Sequence, residues 1–219
     1  MIDLGCSYGV NAALLKHGLS MADLFRLYDE GAGREDLLDR DRTVFDAPAD
    51  PCLEIVGLDT AEQAVGYAVA AGALDAGIAA NLERRDPTPD EAALVEGADL
   101  VISTGCFGYA TDVSLRRLLE ASGDSRPWMA HFVLRMFAFD EAREMLAGHG
   151  YVTEKVDGLH PQRRFASDDE RIHVLDNLAR LGIDPTGAEA EGWYVAELYV
   201  ARPQEDERSL ALDRIVGVH

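Results

Sequence analysis

The sequence predicts an α/β protein built on a mainly parallel sheet. Short apolar runs alternate with helical patterns along the chain, the order that strand–helix–strand units produce. Helix-start signals of the capping type stand between the runs. At 219 residues the chain has the size of one large domain, or of one domain with a cap.

Met1–Leu4 reads as the end of a core strand that turns through Gly5-Cys-Ser-Tyr-Gly9 into a helix over Val10–His17, closed by Gly18. Ser20 and Asp23 form a variant capping box for a helix with Leu24, Leu27 and Tyr28 on one face. Residues 31–51 are polar, carry Pro48 and Pro51, and read as a loop with at most one short helix. Cys52–Leu58 is a second strand ending at Asp59, and Thr60 with Gln63 caps the helix that runs to about Gly72. Gly77–Leu82 is a third strand. Thr88-Pro-Asp-Glu91 combines a capping Thr, a first-turn Pro and a Glu three residues on.

Asp99–Ser103 is a fourth strand, followed by the loop Thr104-Gly-Cys-Phe-Gly-Tyr109 and a helix from near Thr111 that turns Leu115, Leu118 and Leu119 inward. Trp128–Leu134 is a fifth strand, and Asp140 caps a helix ending at Gly148 and Gly150. Tyr151–Val156 is a sixth strand, and Trp193–Ala201, alternating Tyr194, Ala196, Leu198 and Val200, is a seventh. The connection Asp157–Gly192 is too long to be structureless. It holds a helix opened by Ser167 and Glu170, with Ile172, Leu175 and Leu178 as its stripe, and reads as a small cap over the sheet. The tail Pro203–His219 reads as a loop with one amphipathic turn.

Composition narrows the function. A 47% hydrophobic and 27% charged chain is an ordinary globular one, neither disordered nor collagen-like. No apolar run reaches the ~20 residues of a membrane span, and the opening does not read as a signal peptide. Forty acidic against 20 basic residues give a net charge of −20, a field that opposes nucleic acid. Three scattered cysteines, Cys6, Cys52 and Cys106, read as reduced thiols of a cytoplasmic protein. The cysteines, histidines and carboxylates show no metal-ligand spacing.

The chemistry-bearing residues gather at strand ends. Gly5-x-x-x-Gly9, between a strand and a helix, puts small residues where a ligand can touch backbone; a plain strand-to-helix turn has the same look, and the spacing is not that of the dinucleotide fingerprint. Asp59 ends strand two, where ligands of open α/β sheets bind, and its carboxylate can accept both hydroxyls of a ribose. Asn81 can read an adenine edge while Leu82 packs on the ring, although Asn is also an ordinary turn former.

Asp3-Leu-Gly-Cys-Ser-Tyr-Gly9, Gly57-Leu-Asp59, Asn81-Leu82 and Ser103-Thr-Gly-Cys-Phe-Gly-Tyr109 arrive in order, each at the end of a successive strand. Together they resemble the class I S-adenosylmethionine (SAM) dependent methyltransferases over nearly the whole chain. The resemblance implies a Rossmann-like sheet of seven strands in the order 3-2-1-4-5-7-6, the seventh antiparallel, in a single domain over 1–219. It implies SAM as cofactor. Asp3, Gly5, Cys6, Ser7, Tyr8 and Gly9 would then line its methionine part. Asp59, with Thr60 beside it, would bind the ribose, and Asn81 and Leu82 would meet the adenine. Thr104, Gly105 and Phe107 would lie beside the sulfonium. The chain departs from the family's Asp-x-Gly-x-Gly-x-Gly loop at Ser7 and Tyr8. It also carries long stretches at 19–51 and 157–192, which are expected to close the pocket.

Candidates for acting on an acceptor are Tyr8 and Tyr109, whose ring faces attract a cation, His131 as a base and Arg135 as a carboxylate clamp. Ordinary packing explains the aromatics and a buried hydrogen-bonded role explains His131 equally simply. Arg163 and Arg164 read as a solvated pair. The nucleic-acid base-methylation motif Asn/Asp-Pro-Pro-aromatic is absent, and Thr104-Gly-Cys-Phe stands in its place. The expected activity is therefore methyl transfer to a small molecule, of the kind found in secondary metabolism, without nucleic-acid or membrane partners. Two other readings stay open: cyclisation of SAM itself to a small-ring amino acid and methylthioadenosine, with Ser7 and Tyr8 beside the methionine tail, and a non-catalytic subunit of the same fold.

Overall fold

The computed structural model describes residues 1–28, 34–207 and 211–214; the start of the 31–51 segment and parts of the expected tail lie outside them. Among the described residues the strands are β1 (Ile2–Leu4), β2 (Val56–Asp59), β3 (Ala76–Ala79), β4 (Leu100–Thr104), β5 (Trp128–Leu134), β6 (Tyr151–Lys155), β7 (His160–Arg164) and β8 (Trp193–Pro203). The sheet runs β3-β2-β1-β4-β5-β8-β6. The β1–β5 ladders are parallel, and β8 is antiparallel to both β5 and β6. With β8 in the place of the seventh strand, this is the expected Rossmann-like order.

The strand count is corrected from seven to eight. β7 continues β6 along the same edge of β8: Tyr151–Lys155 pairs with Pro203–Tyr199, and His160–Arg164 with Ala196–Trp193. The two are one long edge strand interrupted between them, where Gly158 takes a φ of 118°. His160-Pro-Gln-Arg-Arg164 carries no apolar alternation because its faces are largely exposed, so periodicity could not reveal it.

The helices are α1 (Val10–Leu15), α2 (Met21–Tyr28), α3 (Arg34–Phe45), α4 (Glu62–Ala71), α5 (Pro89–Val95), α6 (Asp112–Ala121), α7 (Asp140–Gly148), α8 (Asp168–Leu181) and the single turn α9 (Gln204–Glu207). Helices α5, α6 and α7 bury Val95, Leu115, Leu118 and Leu146 with Ile2, Leu4, Val101 and Met129 of the sheet. On the opposite face α1 and α4 pack Ala12, Val65 and Ala68 with Cys6, Ile55 and Leu74. Each such aliphatic side chain contributes ~1.5–3 kcal/mol by leaving water. Glycine permits the close approach of the second layer: a Cβ at Gly57 would stand 2.4 Å from Leu74 Cδ1.

Several local expectations shift. α3 is a 12-residue helix where a loop with one short helix at most was expected; its stripe of Leu37, Leu38, Val44 and Phe45 is broken by a buried Asp41. β2 begins at Val56, not Cys52, because Cys52 N–H donates to Asp50 Oδ1 in a turn and Ile55 N–H to Asp75 Oδ2. β3 ends at Ala79, which leaves Asn81 and Leu82 in the turn beyond it. Ala61, not Thr60, stands at the N-cap of α4, its N–H taken by Asp59 Oδ1 at 3.0 Å. Phe139, not Asp140, precedes α7; its ring is buried, and Asp140 faces the helix dipole from the first turn. The caps at Thr88 and Ser167 stand as expected, and Thr111 caps the helix expected to begin near it.

Candidate functional site

The order of strand addition reverses at the parallel pair β1 and β4, the switch point at which a doubly wound sheet opens a crevice. The turn after β1 sits there. Gly5 and Gly9 have φ of 77° and 79°, and Ser7 one of 48°, all in the left-handed region that costs an L residue ~1–2 kcal/mol. The turn is held on its neighbours. Gly5 and Cys6 N–H both donate to Leu58 O, at 2.7 and 3.3 Å, and a Cβ at Gly5 would stand 2.6 Å from Cys106 Cβ. Ser7 N–H donates to Asp59 Oδ2 at 2.9 Å. With Ala61 on its other oxygen, the Asp59 carboxylate is oriented from both sides and keeps lone pairs for a ligand.

Beneath the turn lies a chain of polar groups. Asn11 Nδ2 donates to Asp3 Oδ1 at 2.8 Å, and Thr104 Oγ1 donates to Asn11 Oδ1 at 3.3 Å. Asp3 is fully buried in the centre of the sheet and its Oδ2 has no hydrogen-bond partner. Burial pushes its carboxyl up to about 6, against the Asn11 hydrogen bond that lowers it. A buried carboxylate in this state favours a cation beside it. Asn11, in the first turn of α1, escaped the sequence reading; its place beside the glycine turn was the available signal.

The far wall is set by Asn81 and Glu83. Asn81 Oδ1 accepts from Glu83 N–H at 3.0 Å. Glu83 in turn accepts from the backbone and hydroxyl of both Thr111 and Ser114. These bonds hold its carboxyl below the usual range although partial burial acts the other way. Glu83 thus clamps the start of α6 onto the β3 turn; it too was missed, being one more acidic residue in an acidic chain. A cavity of about 370 Å³ lies between Gly5, Asp59, Thr60, Asn81, Leu82, Glu83, Thr104, Gly105 and Tyr109. A Cβ at Gly105 would meet nothing within 4 Å. A second cavity, about 540 Å³, opens on the other side of the turn among α1, α2, α3 and α4, with Tyr8 and Gly9 in its wall.

The structure divides the predicted residues. It brings together Asp3, Gly5, Ser7, Asp59, Thr60, Asn81, Leu82, Thr104, Gly105 and Tyr109, with Gly9 opening α1. Cys6 turns into the core beneath Gly57, where burial pushes its thiol up to about 12, and it does not line the cavity. Phe107 is also core, edge-on to Phe139 at 4.8 Å and to His131 at 5.3 Å. His131 is completely buried; its Nδ1 pairs with Ser103 Oγ at 2.8 Å, and burial lowers it to about 3. It is a neutral core histidine, not a base facing a substrate. Arg135 is committed to Glu189 at 2.7 Å and to Asp184 O at 3.0 Å, and so ties the 182–192 segment to the end of β5. Tyr8, 60% exposed, meets the edge of Tyr67 at 5.8 Å in the second cavity.

The two long stretches also part company. Residues of α2 and α3 wall the second cavity, not the switch-point cavity that 19–51 was expected to close. Residues 157–192 line neither cavity; they extend the β8 edge instead, where Arg163 and Arg164 lie over the rings of Tyr194 and Trp193 at 4.5 and 4.4 Å. Among the described residues no helix is long and apolar enough to cross a membrane, and no cluster of three potential metal ligands occurs.

No protein-family model matches the chain, and no curated protein does. Solved structures of similar outline exist. A precorrin-6y C5,15-methyltransferase from Geobacter metallireducens is 12% identical, with 93% of this chain and 78% of that one covered and a TM-score of 0.44. A protein of unknown function from Deinococcus radiodurans is 17% identical, with 92% and 78% covered, also at 0.44. A plantazolicin methyltransferase in complex with S-adenosylhomocysteine (SAH) is 11% identical, with 92% and 75% covered, at 0.39. Likeness at this level transfers neither activity nor residue roles; the strand order and the site geometry carry the reading that follows.

Proposed function

We propose that the protein is a SAM-dependent methyltransferase acting on a small molecule. The observation that carries this reading is one cavity at the switch point that joins an oriented carboxylate, Asp59, to an Asn81–Leu82 wall and a glycine turn, above a buried carboxylate with an unpartnered oxygen, Asp3. These residues fit SAM group by group. Asp59 would hold the ribose hydroxyls, and Leu82 with Asn81 the adenine. Gly5 and Ser7 would lie against the methionine portion, and Asp3 would balance its ammonium through the Asn11 chain. Bound there, SAM supplies an electrophilic methyl group.

The chain's own part is placement. Effective molarities of well-oriented reactants are worth up to ~7–11 kcal/mol, so no strong base is required, in keeping with the withdrawal of His131 and Arg135 from the site. The cyclisation reading drew on Ser7 and Tyr8 beside the methionine tail; Tyr8 lines the second cavity instead, while Ser7 stays beside Asp59, and the product formed from SAM alone decides between the two readings.

The test is incubation of the protein with SAM alone and identification of the nucleoside formed. Background methylthioadenosine, with SAH appearing once acceptors are supplied, supports methyl transfer. Methylthioadenosine well above the spontaneous rate would replace it with cyclisation.

A further inference from the structure

We infer that the second cavity binds a neutral aromatic molecule bearing a hydroxyl or amino hydrogen-bond donor, a phenol being the simplest case. The ligand class rests on the cavity walls and not on the methyltransferase reading.

Five rings, from Tyr8, Phe25, Tyr28, Phe45 and Tyr67, face a space of about 540 Å³, in a chain with 7 Tyr and 7 Phe in all. That volume is in the range of small-molecule sites. Apart from Gln63, the rest of the described wall is aliphatic or glycine backbone, and no described residue of it is charged. In a chain that is 27% charged, this is a segregated surface. A carboxylate or phosphate entering it would shed water and meet no cation among the described lining residues, and Arg40, over the Tyr28 ring at 4.8 Å, is engaged with Asp41. Ring faces and edges suit a planar aromatic ligand.

The polar groups of the wall are specific as well. The hydroxyls of Tyr28 and Tyr67 both donate to Asp41 Oδ2, each at 2.7 Å. Arg40 occupies the other oxygen from Nε and Nη2, at 3.0 and 2.8 Å. A phenol has one proton, so with it committed to Asp41 the Tyr28 oxygen offers a ligand lone pairs only. A donor is matched there, and an acceptor is repelled. Asp41 is 1% exposed on a helix stripe that apolar residues would otherwise fill, and a buried carboxylate is costly there unless paired. Its effect is to turn the Tyr28 donor of the wall into an acceptor. The cavity also borders the glycine turn: Tyr8 and Gly9 line it, while Gly5 lines the cavity proposed for SAM.

The experiment is calorimetric titration at pH 7 with three ligands sharing one ring system: 2-naphthol, 2-methoxynaphthalene and 2-naphthoate, each with and without SAH. The inference requires 2-naphthol to bind tightest, the methyl ether roughly threefold to tenfold more weakly for the lost hydrogen bond, and the carboxylate below detection. Phe25→Ala, at a ring that is 70% exposed, should weaken both neutral ligands while circular dichroism shows the fold intact. Tyr28→Phe should erase the preference for naphthol over its ether; if that variant does not fold, the ligand series and Phe25→Ala decide alone. Equal binding of all three, tighter binding of 2-naphthoate, or indifference to Phe25→Ala would overturn the inference. So would a concentration-dependent dimer that buries Phe25 and excludes the ligands. SAH binding without naphthol binding would sink this inference and spare the cofactor reading; naphthol binding without SAH binding would do the reverse.

Discussion

Gly5→Ala probes the join between the β1 turn and the loop after β4, on which the geometry of the site depends. Two costs are readable in the structure. A φ of 77° is worth ~1–2 kcal/mol against any L residue. The new Cβ would also stand 2.6 Å from Cys106 Cβ and 3.1 Å from its Sγ, an overlap of the kind that costs ~1–3 kcal/mol. Gly5→Ala should therefore lose about 2–5 kcal/mol in urea denaturation. The two costs separate in a double-mutant cycle with Cys106→Gly, which removes the clashing atoms but leaves the backbone strain. The cycle should show a favourable coupling of about 1–3 kcal/mol, with the strain persisting in the double variant. Strict additivity would mean that Gly5 and Cys106 do not meet.

Asp3 has a folded value of about 6 against 3.8 unfolded. The native state thus holds a proton that the unfolded state has released, and this contribution to stability falls as pH rises from about 4 to about 6. Asp3→Asn should remove that slope, raise stability at pH 7 by on the order of 3 kcal/mol, and weaken SAH binding more at pH 8 than at pH 5; an unchanged pH profile would refute the burial argument. His131 works in the opposite sense. Its folded value of about 3 against 6.5 unfolded makes stability that is present above 6.5 drain away as pH falls toward 3, so His131→Asn, measured in the Asp3→Asn background, should flatten that slope. Arg135→Ala strands Glu189, which is 1% exposed, and should cost ~3–5 kcal/mol with faster proteolysis around 182–192; a neutral effect would show that the pair holds nothing.

What the sequence revealed followed from physical signals that are local. The parallel strands are short apolar runs, and Thr88, Thr111 and Ser167 cap their helices with residues whose chemistry is visible at one position. The gathering of Gly5, Asp59 and Asn81 around one cavity was legible because each stands at or just beyond the end of a strand. α3 and β7 were not legible. In α3 a buried Asp41 interrupts the apolar stripe, and its partners Tyr28 and Tyr67 lie on other helices. In β7 exposure of both faces removes the alternation that would mark a strand. His131, Phe107 and Arg135 were misassigned for the same reason: a strand-end position does not say which way a side chain turns, and tertiary packing turned two inward and gave the third to Glu189. Asn11 and Glu83 act through partners remote in sequence, and only folding brings those partners within reach.

The most direct test of the account is a thermal-shift and calorimetric comparison of SAH with NADH on the wild-type chain and on Asp59→Ala. SAH at ~100 times its dissociation constant should stabilise the wild type by about 2.7 kcal/mol, and Asp59→Ala should lose most of that shift when measured against its own, lowered ligand-free melting temperature. A larger shift with NADH, or an undiminished SAH shift in Asp59→Ala, would contradict the assignment of the switch-point cavity to SAM.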